Sequence, residues 1–414
     1  MNRPNIFDYA TSELSQDAFL CWLFEHLSSE EYVRSKEANI ARKLLNSILQ
    51  GYGHLGMHDA EQNDCYRPLP VYVLTELRTH SIRRQDTQKK RRIDKRHDVK
   101  FDVTCGGKPV ARVLIEDKTR SEESFHKQLL RYWQDECATT DMPVIPVFWK
   151  TDYVCALRRE ELQNECVLVA QSEIEGAFAG IEEWTDNRHE ILCGWWKLYK
   201  ARYAKPITAA VTAVDSCAPS DRVRSVFEKL QQEPEKSTAA FADRFIQKAG
   251  LPKLLSEYHG QFSVQRGKGH SDLLWIYGSE YWTITPPDER LNEYAIKLQF
   301  LVQAGRSKTP QMSVKTIPLG PERPGDYLRK GDMAATPEFA EYYRGVQHRL
   351  RTHMEGVRGD EAKLTWRSRK HHLMTLALSI DESVSLQSFW EALEHDIPML
   401  LNGVENFLKR ERAH

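Results

Sequence analysis

A chain of 414 residues is too long for one ordinary hydrophobic core and predicts two or three domains, and a 41% hydrophobic, 10% aromatic composition excludes disorder. No run approaches the roughly 18 apolar residues that cross a bilayer, and Met1-Asn2-Arg3-Pro4-Asn5-Ile6-Phe7-Asp8 lacks the apolar centre of a signal peptide, so no membrane partner is expected. The net charge of −1 lends no support to a nucleic-acid partner by itself.

Eight cysteines lie singly between Cys21 and Cys217 without a CxxC pair, the pattern of reduced thiols in a cytoplasmic protein. The first predicted helix runs from Glu13 to Leu27, with Leu14, Ala18, Cys21 and Trp22 at helical spacing after the caps Thr11 and Ser12. A second runs from Glu31 to Gln50 and stops at Gly51-Tyr52-Gly53. A loop to Pro70 and a strand over Val71–Thr75 follow.

Between Arg78 and Lys100 the charge is concentrated. Arg83, Arg84, Lys89, Lys90, Arg91, Arg92, Lys95 and Arg96 face only Asp86, Asp94 and Asp98. Such a stretch is either a solvated loop or an element that contacts phosphates. Its place just before the candidate site favours phosphate contact.

Lys100–Cys105 and Lys108–Glu116 flank Gly106-Gly107 and predict a β-hairpin. Thr119-Arg120-Ser121-Glu122 has the form of a capping box opening a helix to Cys137. Val144–Trp149 reads as a buried strand. The expected fold class is α/β (α+β), with a mixed sheet flanked by helices.

The pattern from Glu160 to Tyr203 is mainly helical, and Trp195-Trp196 is expected in the core. The small-residue-rich stretch from Lys205 to Ser220 is the expected boundary between domains 1–204 and 221–414. The second is expected to be α+β and to serve recognition, regulation or assembly. Helices are expected over Arg222–Gln232, Ala239–Leu255, Glu338–Met354 and Leu386–Arg412, the last kinked or broken at Pro398. Strands are expected over Asp272–Tyr277, Tyr281–Ile284 and Tyr294–Phe300.

The hairpin carries the candidate chemistry. Asp102 and Glu116 stand near the ends of partner strands, where two carboxylates can converge at one sheet edge. Glu116 and Lys118, two residues apart on a strand, share a face. Two carboxylates and an ammonium suit metal-assisted phosphodiester hydrolysis, with Mg²⁺ (or Mn²⁺) on the carboxylates and Lys118 acting on the water or the developing charge.

Asp102, thirteen residues, then Glu116-Asp117-Lys118 resembles the D…ExK signature of the PD-(D/E)XK nuclease superfamily. Gln128-Leu129-Leu130-Arg131-Tyr132 is similar to the QxxxY motif of its RecB-like branch. The opening Phe7–Phe19 resembles bacterial members whose first helix supplies a glutamate to the metal site, which makes Glu13 the matching position. The resemblance spans about residues 6 to 150. It implies a restriction-endonuclease-like fold, magnesium at Asp102, Glu116 and Glu13, help from Gln128 and Tyr132, and DNA as substrate. Bacterial proteins of this kind often act against invading DNA, so anti-phage defence is the implied role.

Bland readings stand beside each motif: a surface pair for Glu116 and Lys118, plain helix surface for Gln128 and Tyr132, a helix-dipole partner for Glu13. Phe101-Asp102 replaces the family's Pro-Asp, and Asp94 and Asp98 leave the first acidic ligand open. The alternative function is an inert nuclease-like module that binds nucleic acid or scaffolds, and a homo-oligomer is compatible with either.

Overall fold

The computed structural model describes residues 12–59, 65–84, 98–118, 126–184, 189–232, 237–248, 250, 261–266, 273–278, 282–305, 308–320, 336–358, 365–368, 374–379 and 383–413. The fold is mixed α+β in two compact units, Met1–Thr208 and Ala209–His414. No helix among the described residues is long and apolar enough to cross a membrane.

The first unit opens with α1 (Ser12–Glu25) and α2 (Lys36–Asp59). Strands β1 (Leu77–Arg84), β2 (Val99–Cys105) and β3 (Lys108–Lys118) then form an antiparallel meander. Helix α3 (His126–Cys137) leads to β4 (Val144–Lys150), which lies parallel to β3. After α4 (Ala156–Glu165), β5 (Val167–Val169) adds in parallel, giving the order β1-β2-β3-β4-β5. Helices α5 (Gln171–Phe178) and α6 (Glu190–Tyr199) follow, and a π-helical turn leads into α7 (Lys205–Asp215), within which the division between the units falls.

Both sheet faces are covered, so β4 is buried at every residue. On one face Phe24 of α1 meets Phe101 with centroids 4.6 Å apart, and the Thr79 hydroxyl donates to the Phe24 carbonyl. On the other, Leu129 and Trp133 of α3 pack with Leu114, Val144 and Phe148. The Trp133 indole N–H is satisfied by the Val144 carbonyl at 2.7 Å. Trp195 stacks on Phe19 at 4.4 Å and Trp196 on Phe178 at 5.1 Å, so the tryptophan cluster is core, as expected.

Several expectations need correction. Helix α2 does not stop at Gly51-Tyr52-Gly53 but continues to Asp59. Gly51 permits close approach there: a Cβ would lie 2.9 Å from Val167 Cγ1 in β5. Tyr52 is fully buried, its hydroxyl bonded to the Arg67 backbone. Two substitutions should therefore differ in sign. Gly51→Ala should destabilise by about 1–3 kcal/mol through overpacking against a stiff valine. Gly53→Ala, with nothing within 4 Å of its Cβ, should stabilise by up to about 1 kcal/mol through helix propensity. Denaturant titration checks both.

The expected strand at Val71–Thr75 is also misplaced. Val71 and Val73 are exposed, and pairing begins at Leu77, so that the strand runs on into what reads as the basic stretch. The expected boundary stretch is largely helix α7, because Ile207, Ala210 and Val214 give it a buried stripe. Strand β5 interrupts the segment read as helical. The capping box at 119–122 lies outside the described residues.

The second unit holds α8 (Val223–Gln232) and α9 (Thr238–Lys248). Its strands are β6 (Gln261–Arg266), β7 (Leu273–Gly278), β8 (Thr283–Ile284), β9 (Ala295–Gly305), β10 (Lys308–Leu319), β11 (Thr365–Ser368) and β12 (Met374–Ser379). They pair antiparallel in the order β11-β12-β10-β9-β7-β6, with β8 on β9. Helices α10 (Pro337–Arg358) and α11 (Leu386–Ala413) complete it, and α11 runs unbroken through Pro398. Sequence periodicity located β7, β8 and β9 but not β6, β10, β11 or β12.

Candidate active site

An antiparallel pair is defined by its register. Here Val99 stands opposite Ile115, and the Asp98 amide donates to the Ile115 carbonyl at 3.1 Å. The ladder ends there, and Asp98, just before β2, lies beside the end of β3 that carries Glu116, whose carboxyl feels its charge. Asp98 Oδ2 accepts from the Asp117 amide at 2.8 Å and lies 3.5 Å from Lys118 Nζ. Lys118 Nζ is 2.8 Å from Glu116 Oε1. One lysine is thus shared by two carboxylates at the end of the sheet.

The electrostatics are uneven. The Glu116 side chain is only 2% exposed, and its Oε2 has no hydrogen-bond partner among the described residues. Burial first, and then the neighbouring Asp98, push its pKa up to about 7; Lys118 pulls down and Asp17 adds to the rise. A buried carboxyl held near neutrality in a charged cluster is a candidate functional group.

Asp102 does not belong to this cluster, which corrects the expectation that it converges with Glu116. The register sets Asp102 opposite Arg112, four strand positions or about 13 Å from the level of Glu116. There it accepts a bidentate pair from Arg112, Nε at 2.6 Å and Nη2 at 3.1 Å. Arg112 also donates to Glu136 of α3 at 2.7 Å, and Lys100 pairs with the same carboxylate. The network ties α3 to the sheet.

That tie sets the level of α3. The helix must run back to begin the parallel β4, so it lies antiparallel to β3. With Glu136 held at Arg112, Gln128 lies about 12 Å back along the helix, close to the level of Glu116. Gln128 donates to the Tyr132 hydroxyl, and Tyr132 is buried, so these two side chains form one unit on α3.

Among residues that sequence reasoning missed, Gln16 and Asp17 of α1 are buried at this sheet end. The Gln16 amide donates to Asp117 Oδ1 at 2.8 Å and accepts from the Thr151 hydroxyl. Lys150, 2% exposed, lies beside Lys118 in the β3–β4 register. Glu13 belongs to α1, but its side chain lies outside the described residues. Of the basic stretch, Arg83 and Arg84 end β1 opposite Lys100 and Val99. Lys89, Lys90, Arg91 and Arg92 lie outside the described residues. Their segment leaves β1 at Arg84 and rejoins at Asp98, so both of its ends stand at the sheet end that carries Glu116.

Among the described residues no three histidine, cysteine or acidic side chains group closely enough to hold a metal. A pair of neighbouring carboxylates nevertheless fits Mg²⁺, which keeps several waters and takes one or two carboxylates from a protein. The partnerless Glu116 Oε2 offers a lone pair for it. Comparison with protein-family models, curated proteins and solved structures finds no match to this chain.

Proposed function

We propose that the Met1–Thr208 unit is a metal-dependent nuclease that hydrolyses phosphodiester bonds in DNA, with Asp98, Glu116 and Lys118 as its core. The observation that carries this reading is the buried Glu116, its second oxygen without a partner and its pKa near 7, beside a carboxylate and an ammonium. Magnesium, when bound there, would polarise the phosphoryl oxygen and lower the pKa of a coordinated water.

The chain's own groups have separable tasks. Glu116 releases its proton near neutrality and supplies charge to the cation. Asp98 lies just before β2, its Oδ2 held by the Asp117 amide and near Lys118, and would bring a second carboxylate to the cation. Lys118 donates to the attacking water or offsets charge that develops on the phosphorane. Gln128, on α3, would bond a water or phosphate after leaving Tyr132.

Incubating the purified chain with plasmid, linear duplex and single-stranded DNA, in Mg²⁺, Mn²⁺ or EDTA, tests the reading. Metal-dependent nicking or degradation that vanishes in EDTA and in Glu116→Gln is the expected result. Binding of DNA with no cleavage under any metal would instead identify an inert nuclease-like module.

A further inference from the structure

The sheet of the second unit has two unlike faces. Along β9 and β10, Ile296, Leu298, Phe300, Val314 and Thr316 are all buried. Thr316 bonds Tyr343 and Gln347 of α10, which shows that this is the face the helix covers. The intervening residues Lys297, Gln299, Lys315 and Ile317 are only half-buried. Lys315 stands opposite Gln299 and Ile317 opposite Lys297, so the two lysines are diagonal neighbours on adjacent strands.

Charge on this sheet is one-sided. As bounded among the described residues, its seven strands carry no aspartate or glutamate but five lysines or arginines. The chain as a whole is balanced, 58 cations against 59 acids, so the strands depart from it sharply. Burial lowers the Lys315 pKa. Among the described residues no acid pairs with this half-buried ammonium, which suits it to a ligand that supplies the counter-charge. Arg412, at the exposed end of α11, donates to the Thr283 carbonyl at 3.2 Å, and Thr283 pairs in register with Lys297.

We propose that this half-exposed face, centred on Lys297 and Lys315, binds the phosphate backbone of nucleic acid. The proposal rests on the nuclease reading of the first unit and gives the second unit the task of holding the substrate. Cations on two adjacent strands suit a chain of regularly repeated anions better than one isolated phosphate. The interleaved Gln299 amide can donate to phosphate or sugar oxygens without reading sequence.

The test is fluorescence anisotropy with labelled duplex and single-stranded DNA, in EDTA so that cleavage plays no part. Full-length wild type is compared with Lys297→Gln/Lys315→Gln and with Lys297→Arg/Lys315→Arg across a salt series. The glutamine pair should weaken binding about tenfold or more for all sequences alike. It should also reduce the slope of log affinity against log salt by about two, near 0.9 per lost phosphate contact. The arginine pair should keep the wild-type slope, and circular dichroism should show that all three chains fold alike. Wild-type affinity and slope in the glutamine pair, or no DNA binding by wild type, would overturn the proposal. So would an equal lysine-dependent affinity for phosphatidylserine vesicles, which would make the face a membrane contact. Lysine-dependent binding without cleavage in Mg²⁺ would instead fail the nuclease reading alone.

Discussion

Asp98→Asn should abolish cleavage, and Asp102→Asn should leave it close to wild type. Asp98 shares Lys118 with Glu116, whereas Asp102 sits opposite Arg112, four positions from Glu116, in a structural ion network. Loss of a carboxylate from the pair should lower the rate by roughly 10³-fold, the scale on which single transition-state-stabilising groups act. The asparagine is nearly isosteric, so the fold should survive. Asp102→Asn leaves Arg112 its bond to Glu136 but weakens the two bonds to Asp102, for a loss of about 1–3 kcal/mol of stability. Initial rates on plasmid and denaturant melts of both variants separate the two effects. An inactive Asp102→Asn beside an active Asp98→Asn would return the site to the other end of the hairpin and sink the assignment made here.

The hairpin also shows where sequence reasoning reached its limit. The strands, the Gly106-Gly107 turn and the shared face of Glu116 and Lys118 were all legible from alternation and turn chemistry. The partner of Glu116 was not. Cys105 pairs with Lys108 and Thr104 with Pro109, and that count would carry His97 to Glu116. A register shift between Val103 and Thr104 inserts one residue, so that Val99 falls opposite Ile115 and Asp98 emerges at the end of the ladder, where it shares Lys118 with Glu116. One bulge therefore decides both the neighbour and the face. The Arg112 that claims Asp102 was equally visible as a residue, but its partner follows only from the register.

Elsewhere the misses have separate physical causes. Helices α1 and α3 and strand β4 were readable because their signals are local: apolar residues at helical spacing in the helices and a short continuous apolar run in β4. Gly51 looked like a helix stop because a glycine that serves close packing against Val167 has the same sequence signature as one that ends a helix. Strand β5, three residues long, is too short to show a period. Strand β10 carries Pro310 and Pro318 among polar residues, so neither composition nor alternation marks it as the long partner of β9.

Glu116→Gln should make the metal-free protein more stable above neutral pH while removing its activity. The Glu116 pKa is raised from 4.5 to about 7, so the folded chain holds a proton there that the unfolded chain has already lost. Between those values the folded state binds more protons, and stability must fall as pH rises. Above about pH 7 the full penalty, on the order of 3 kcal/mol, is present; below about pH 4 it is absent. The groups that set it are Asp98 and Asp17, which raise the pKa, and Lys118, which lowers it, all acting on a carboxyl already desolvated by burial. Glutamine cannot ionise, so the variant should lose this pH dependence and melt above the wild type at about pH 8, and near it at about pH 4. Mg²⁺ should reverse the order by binding the ionised wild-type pair and raising its melting temperature, with no such rise in Glu116→Gln. Melts at both pH values, with EDTA and then with Mg²⁺, read all of this from one pair of proteins. A variant that is less stable than wild type at about pH 8 in EDTA would show that Glu116 supports the fold, and would remove the case for a carboxyl kept at a cost to stability for its chemistry.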